Sequence, residues 1–148
     1  MTLERFVEAQ EKPNDYSPLM SNYSKALAEI QSGKKTTDWI WHIFPQMEGL
    51  GHSYNANYFG IKDLAEAEAY LNHSILGTRL IEMSSALLYL NETNLEIVVG
   101  WTDKRKICSC MTLFSQVNAS HPIFLQVVDK YFSGKTDNQT LDKLKLAL

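Results

Sequence analysis

The sequence predicts an all-α protein, a compact single-domain bundle of about seven to eight helices over residues 1–148. Two observations carry this prediction. Apolar residues recur at steps of three and four rather than in strict alternation, which is the spacing of one helix face. The 7 glycines and 4 prolines are dispersed, so they end helices without making long loops. The length of 148 residues also suits one domain.

Two helices are predicted in the first 33 residues. The first is an amphipathic turn behind Thr2 that ends in the polar stretch 11–15. The second begins after Ser21, whose hydroxyl can accept hydrogen bonds from free N–H groups, and ends at Gly33. Their apolar stripes comprise Leu3, Phe6 and Val7 in the first helix, and Tyr23, Ala26, Leu27 and Ile30 in the second.

The aromatic segment 39–46 is too short for periodicity to decide between strand and helix. Because Asp38 is a good N-cap, we favour one or two buried helical turns that end at Pro45. A loop with two glycines follows. After it, Ser53 can cap a short helix that ends at Gly60.

The middle of the chain carries the strongest helical pattern. Asp63 and Glu66 have the spacing of a capping box and open one helix. Residues 95–99, behind Asn94, have the β-branched content of a strand but lie between helical patterns, so strand and helix both stay open. The strongest apolar stripe lies between these two segments and comprises Leu76, Leu80, Met83, Leu87 and Leu90.

Three further helices are predicted at the end of the chain. One runs from about residue 102 to 117 and is apolar around much of its circumference, so it should be buried on more than one side. The next begins at Pro122 and stops at Gly134. Asp137 caps the last helix.

Composition and charge exclude several classes of protein. The 14 Lys and Arg residues against 17 Asp and Glu give a net charge of -3, which leaves no basic excess for nucleic acid. The 45% apolar content excludes a disordered chain. The start of the chain does not resemble a signal peptide, and no stretch approaches the roughly 18 apolar residues of a membrane span. Cys108 and Cys110 offer no disulfide framework. We therefore expect a soluble, cytoplasmic protein with no nucleic-acid or membrane partner, and the oligomeric state stays open.

Neither a metal nor a cofactor is predicted. The four histidines, at positions 42, 52, 73 and 121, include no pair at helical spacing. The chain also lacks the glycine-rich motifs that cradle phosphates.

The segment 39–53 has the residue types of a ligand pocket. Trp39 and Trp41 can stack a planar ring, the amide of Gln46 both donates and accepts hydrogen bonds, and His42 can transfer a proton near neutral pH. Buried aromatic residues are also ordinary core material, so a ligand site and core packing both stay open.

A second segment combines charged residues with a mostly apolar helix. Lys106, Ser109 and Thr112 step by three along one side, and Asp103 lies one turn before Lys106 and can pair with it. Were this helix central, the two hydroxyls would need partners on neighbouring helices or on a bound anion. The alternative is a solvated basic turn followed by a core helix.

These two segments also contain the most specific motifs of a family resemblance, which extends over nearly the whole chain. The motifs are Trp39–Trp41, Ile43–Gln46, Gly49–Ser53, Asp103–Lys106 and Ser109–Phe114. Together with matches such as Arg5–Gln10 and Leu76–Leu80, they make the sequence resemble the bacterial and fungal family called domain of unknown function 1810. Some members carry the label calpastatin. The resemblance implies a compact multihelical fold and no established activity.

Six polar positions match the family motifs and are our candidate pocket residues, with Trp39 and Trp41 as walls. Three positions depart from the family pattern. Asp38 stands where members commonly have His, His42 stands where an aromatic residue is frequent, and Cys110 replaces a serine. The six matching positions are Gln46, Ser53, Asp103, Lys106, Ser109 and Thr112.

The leading hypothesis for function is a small-molecule site between segment 39–53 and the helix that carries residues 106–112. Its ligand would be anionic and partly aromatic, such as a nucleotide or an ADP-ribose derivative, with Lys106 holding the anion. Whether the protein is an enzyme stays open. A catalytic site here would favour hydrolysis or group transfer, with His42 or Asp103 as acid–base groups.

The alternative is a protein-interaction module without catalytic activity. A calpain-inhibitor function is excluded, because such an inhibitor has a disordered composition that this chain lacks. A cavity lined by Trp41, Gln46, Lys106 and Ser109 would favour the small molecule. A flat, exposed apolar patch would favour a protein partner.

Overall fold

Ten α-helices make up the fold in a computed structural model that describes residues 2–146. This confirms the all-α prediction, and the β content of those residues is limited to two isolated bridges. The predicted count of seven to eight helices was too low, and three of the ten helices are short, with only four or five residues each. In chain order the helices are α1 (Glu4–Glu11), α2 (Asn22–Gln31), α3 (Ile40–Ile43), α4 (Tyr54–Tyr58), α5 (Leu64–Asn72), α6 (Leu76–Leu88), α7 (Leu95–Val99), α8 (Trp101–Ser115), α9 (Ile123–Phe132) and α10 (Asn138–Leu146).

Three predicted N-caps are confirmed by their hydrogen bonds. Ser21, Ser53 and Asp63 each accept the N–H of the residue three positions later, at 3.1, 3.1 and 2.8 Å. These bonds satisfy N–H groups that the first helical turn leaves free. Gly33, with φ of +81°, follows α2 in the left-handed conformation that was predicted to end it.

The predicted cap at Asp38 is wrong. The residue before α3 is Trp39, and its side chain makes no capping hydrogen bond. The N–H groups of Thr36 and Thr37, just ahead of α3, instead reach the Glu29 carboxylate at 2.7 and 3.0 Å. Glu29 of α2 thus fixes the backbone that leads into α3. The spacing of residues around position 38 could not reveal this contact, because Glu29 lies several positions earlier in the chain.

Segment 95–99 forms helix α7, and Asn94 accepts the N–H of Glu96 at 3.1 Å to begin it. Gly100, with φ of 86° and ψ of 165°, then separates α7 from α8. Helix α8 packs against α5, α7, α9 and α10, and its residues 109–114 are buried. The prediction that this helix is covered on more than one side is confirmed.

The residue that caps the last helix also ties that helix to α8. Asp137 Oδ2 accepts the N–H of Thr140 at 3.0 Å, as predicted for the cap of this helix. The backbone N–H of Asp137 in turn donates to Thr112 Oγ1 at 2.9 Å. The start of α10 therefore lies directly beside the middle of α8.

The loop between α3 and α4 lies against α10. The N–H of Glu48 donates to the carbonyl of Ile61 at 2.8 Å, and the N–H of Ile61 donates to the carbonyl of Gln46 at 2.9 Å. A Cβ placed on Gly49 would lie 2.6 Å from Lys143 Nζ of α10. This loop, α8 and the start of α10 thus meet in one region.

The buried apolar side chains of the described residues form one cluster, to which all the longer helices contribute. Its centre includes edge-on and tilted contacts among Phe6, Tyr70, Phe114 and Phe124. Between residues 2 and 146, no helix has the length and apolar character needed to cross a membrane.

Candidate functional site

A cleft of about 260 Å³ lies where the α3–α4 loop meets α8 and the start of α10. Three stretches of chain contribute to its walls, and most of the lining side chains are polar or charged. The lining residues are Gln46, Leu50 and Gly51 from the loop, Trp101, Thr102, Arg105, Lys106 and Ser109 from α8, and Asp137 and Gln139 from the start of α10.

The cleft brings together three predicted site residues, Gln46, Lys106 and Ser109. The hydroxyl of Ser109 lies 3.2 Å from the Arg105 carbonyl and 3.2 Å from Asp137 Oδ2. The first contact is the usual bond of a mid-helix serine to the preceding turn. The second links the wall formed by α8 to the wall formed by α10.

Lys106 is held by Asp103 and Trp41. Its ammonium nitrogen lies 3.4 Å from Asp103 Oδ1 and 4.9 Å from the centre of the Trp41 ring. Lys35 approaches the other Asp103 oxygen at 2.9 Å. The two lysines together outweigh the one carboxylate, so this group keeps a positive charge next to the cleft.

Asp103, a predicted acid–base residue, is not among the residues that line the cleft. Both of its oxygens are engaged by ammonium groups. Its position is therefore that of an anchor that orients Lys106.

Neither predicted tryptophan wall lines the cleft. Trp39 is 1% exposed, and its indole N–H donates to Glu29 Oε1 at 2.9 Å, so it belongs to the core. Trp41 is half-buried behind Lys106. The aromatic side chain that does line the cleft is Trp101, which is 60% exposed. Sequence reasoning missed it because it stands alone, outside the aromatic segment.

Three other predicted site residues lie elsewhere. Ser53 caps α4, and Thr112 is fully buried as the acceptor for the start of α10. His42 is buried against the Phe59 ring, with 5.8 Å between ring centres, and its Nδ1 has no hydrogen-bond partner within residues 2–146. Burial lowers the pKa of His42 to about 4, so its imidazole is neutral at pH 7.

Two charged lining residues were not predicted as site residues. Arg105 is exposed and forms no ion pair with any residue in the described range. Asp137 Oδ2 accepts hydrogen bonds from Ser109 and from both the N–H and the hydroxyl of Thr140. Two features of the sequence could have pointed to these residues. Arg105 belongs to the basic run 104–106, and Asp137 occupies the predicted capping position of the last helix.

Within residues 2–146, no group of three or more His, Cys, Asp and Glu side chains is placed to hold a metal ion. The cleft instead combines two cations, one carboxylate, two amides, two hydroxyls and an exposed indole. This set can bind an anion, hydrogen-bond a polar edge and stack a planar ring.

Comparisons with known proteins give a family and a fold. Residues 1–144 match the family model described as "Protein of unknown function (DUF1810)". The structure is similar to the crystal structure of a conserved hypothetical protein from Mycobacterium tuberculosis at 1.38 Å, with a TM-score of 0.87 and 36% sequence identity. The match covers 97% of this chain and 96% of that one. No curated protein matches the sequence.

Proposed function

The chain belongs to the DUF1810 family of proteins of unknown function, and from this premise we propose that it binds an anionic, partly aromatic small molecule of the nucleotide type in the cleft beside α8. One observation carries the proposal. The cations Arg105 and Lys106, the exposed ring of Trp101 and the amide of Gln46 all line the same hollow.

The charges of the cleft support an anionic ligand. Arg105 and Lys106 against Asp137 leave an excess of one positive charge among the lining residues, in a chain whose net charge is -3. The guanidinium of Arg105 has no ion-pair partner within residues 2–146, so its fork of N–H groups is available to two phosphate oxygens.

The size and the aromatic wall of the cleft support a planar ring attached to that anion. A volume of about 260 Å³ lies just below the roughly 300–1,000 Å³ usual for ligand pockets, which suits one ring with a phosphate. Trp101 offers an exposed face for stacking. The amides of Gln46 and Gln139 can pair with the donors and acceptors on a base edge.

The shape of the cleft favours a small molecule over a protein partner. Gln46, Lys106 and Ser109 line a concave hollow with convergent polar groups. A protein-docking surface is typically flatter and its centre is apolar.

The proposal concerns binding. His42 is buried away from the lining, and Asp103 is engaged by two lysines. Any hydrolysis or group transfer in this cleft would depend on Asp137, the one carboxylate in the lining.

Calorimetry and thermal-shift measurements with AMP, adenosine and inorganic phosphate test the proposal. We expect AMP to raise the melting temperature, and the Arg105→Ala variant to bind AMP about tenfold more weakly or worse, as for loss of a charge-assisted pair. Lys12→Ala removes an exposed cation that does not line the cleft, so it serves as the control. The proposal is overturned if AMP leaves the melting temperature unchanged, or if Arg105→Ala binds AMP as tightly as the unaltered protein.

A further inference from the structure

A second hollow, of about 270 Å³, lies next to the first and shares three lining residues with it. The shared residues are Trp101, Arg105 and Asp137. The second hollow adds Lys104, Cys108 and Phe132, so it too combines an aromatic surface with a cation. The Arg105 side chain therefore borders both hollows.

Resting on the proposed function, we propose that the ligand consists of two nucleoside-type halves joined by a diphosphate. One half occupies each hollow, and the diphosphate crosses between them at Arg105.

The order of residues on α8 supports this arrangement. Successive side chains of an α-helix are rotated by about 100° around its axis, so Lys104 and Lys106 diverge to opposite sides of Arg105. Lys106 lines the first hollow only, Lys104 lines the second only, and Arg105 lines both. Arg105 therefore borders the place where a diphosphate would pass between the two hollows, and each hollow adds one further lysine.

Each hollow also offers the other groups that a nucleoside needs. Trp101 lines both hollows, and the half-buried ring of Phe132 adds a second aromatic surface, with Lys104 Nζ 5.9 Å from its centre. Asp137 lies between the hollows, and no residue in the described range donates a hydrogen bond to its Oδ1. A free carboxylate oxygen is a good acceptor for ribose hydroxyls.

The lining of the second hollow argues against a ligand with only one half. Each hollow, at about 260 and 270 Å³, has room for one ring and its adjoining groups, and a ligand confined to the first hollow would not touch Lys104 or Phe132. A ligand with two halves uses both.

The test compares NAD, which has two nucleoside halves and a diphosphate, with AMP. We expect NAD to bind about tenfold more tightly than AMP, since its second half adds a stacking contact with Phe132 and its diphosphate reaches Lys104 as well as Arg105. Lys104→Ala and Phe132→Leu should remove this gain and leave the affinity for AMP unchanged. The second variant retains apolar volume, and circular dichroism checks that both variants fold.

Cys108 provides an independent readout, because it is the cysteine that lines the second hollow, while Cys110 is fully buried. NAD should slow alkylation of Cys108 and AMP should not. If AMP binds through Arg105 but NAD binds no more tightly and does not protect Cys108, the inference fails and the proposed function stands. If neither nucleotide binds, both fail.

Discussion

The indole N–H of Trp39 donates a hydrogen bond to Glu29 Oε1 at 2.9 Å inside the protein. The same carboxylate accepts the N–H groups of Thr36 and Thr37 and the hydroxyl of Thr37. Burial by itself raises the pKa of Glu29, but the hydrogen bonds from Thr37, Thr36 and Trp39 outweigh it and lower that pKa to about 2. One buried carboxylate thus holds the chain between α2 and α3.

Glu29→Gln should lower the free energy of unfolding at pH 7 by about 2–4 kcal/mol, because an amide cannot accept all four hydrogen bonds and presents donors to other donors. Urea unfolding measures the change, and Glu8→Gln on the exposed face of α1 is the matched control.

The pKa of Glu29 is lower in the folded state than its ordinary value of 4.5. Its contribution is therefore complete above pH 4.5 and disappears as the pH falls through about 2. Equal stability of the two variants would contradict this role.

His42 should make stability depend on pH at milder acidity. Burial lowers its pKa from 6.5 to about 4, so between those values the unfolded chain binds a proton that the folded protein excludes. The free energy of unfolding is therefore highest above pH 6.5. It decreases towards pH 4, by up to about 3 kcal/mol at roughly 1.4 kcal/mol per pH unit.

The His42→Phe variant tests this dependence. Phenylalanine retains the contact with Phe59 and has no buried nitrogen, so the fall in unfolding free energy between pH 6.5 and 4 should become smaller. His52→Gln alters an exposed histidine and should leave the fall unchanged. A fall that persists in full after His42→Phe would show that other groups cause it.

The features that could be predicted from the sequence are the local ones. Ser21, Ser53 and Asp63 cap helices through bonds to N–H groups three residues away, and such bonds depend only on the neighbouring chain. The burial of Trp39 depends on Glu29, ten positions earlier, and the exposure of Trp101 depends on where α8 begins beside the α3–α4 loop and the start of α10. The residue types of segments 39–53 and 106–112 therefore suggested that the two segments form a site together, but not which tryptophan would remain accessible.

Gly100 should not tolerate a side chain. Its φ of 86° and ψ of 165° lie in a region that only glycine adopts freely, although nothing lies within 4 Å of a Cβ there. Gly100→Ala should therefore lower the free energy of unfolding by about 1–3 kcal/mol through backbone strain. It should also weaken AMP binding, because Trp101 follows directly. Asn91→Ala, at an exposed position of the preceding loop, is the control. Unfolding in urea measures the stability of both variants, and calorimetry measures their affinity for AMP. An unchanged stability would rule out strain at this junction.

Trp101 and Trp41 should affect different parts of the ligand. Trp101 is 60% exposed in the cleft, so Trp101→Ala removes a stacking surface and should weaken binding of AMP and adenosine by roughly 1–3 kcal/mol while inorganic phosphate binds as before. Trp41 instead lies under the Lys106 ammonium at 4.9 Å. Trp41→Ala frees that cation from its position and should weaken AMP and phosphate together, by about 0.5–2 kcal/mol for loss of a cation–π contact. Calorimetry with the three compounds separates the effects. If Trp41→Ala weakens adenosine while Trp101→Ala does not, the stacking wall is Trp41, and the assignment made from the exposed indole is wrong.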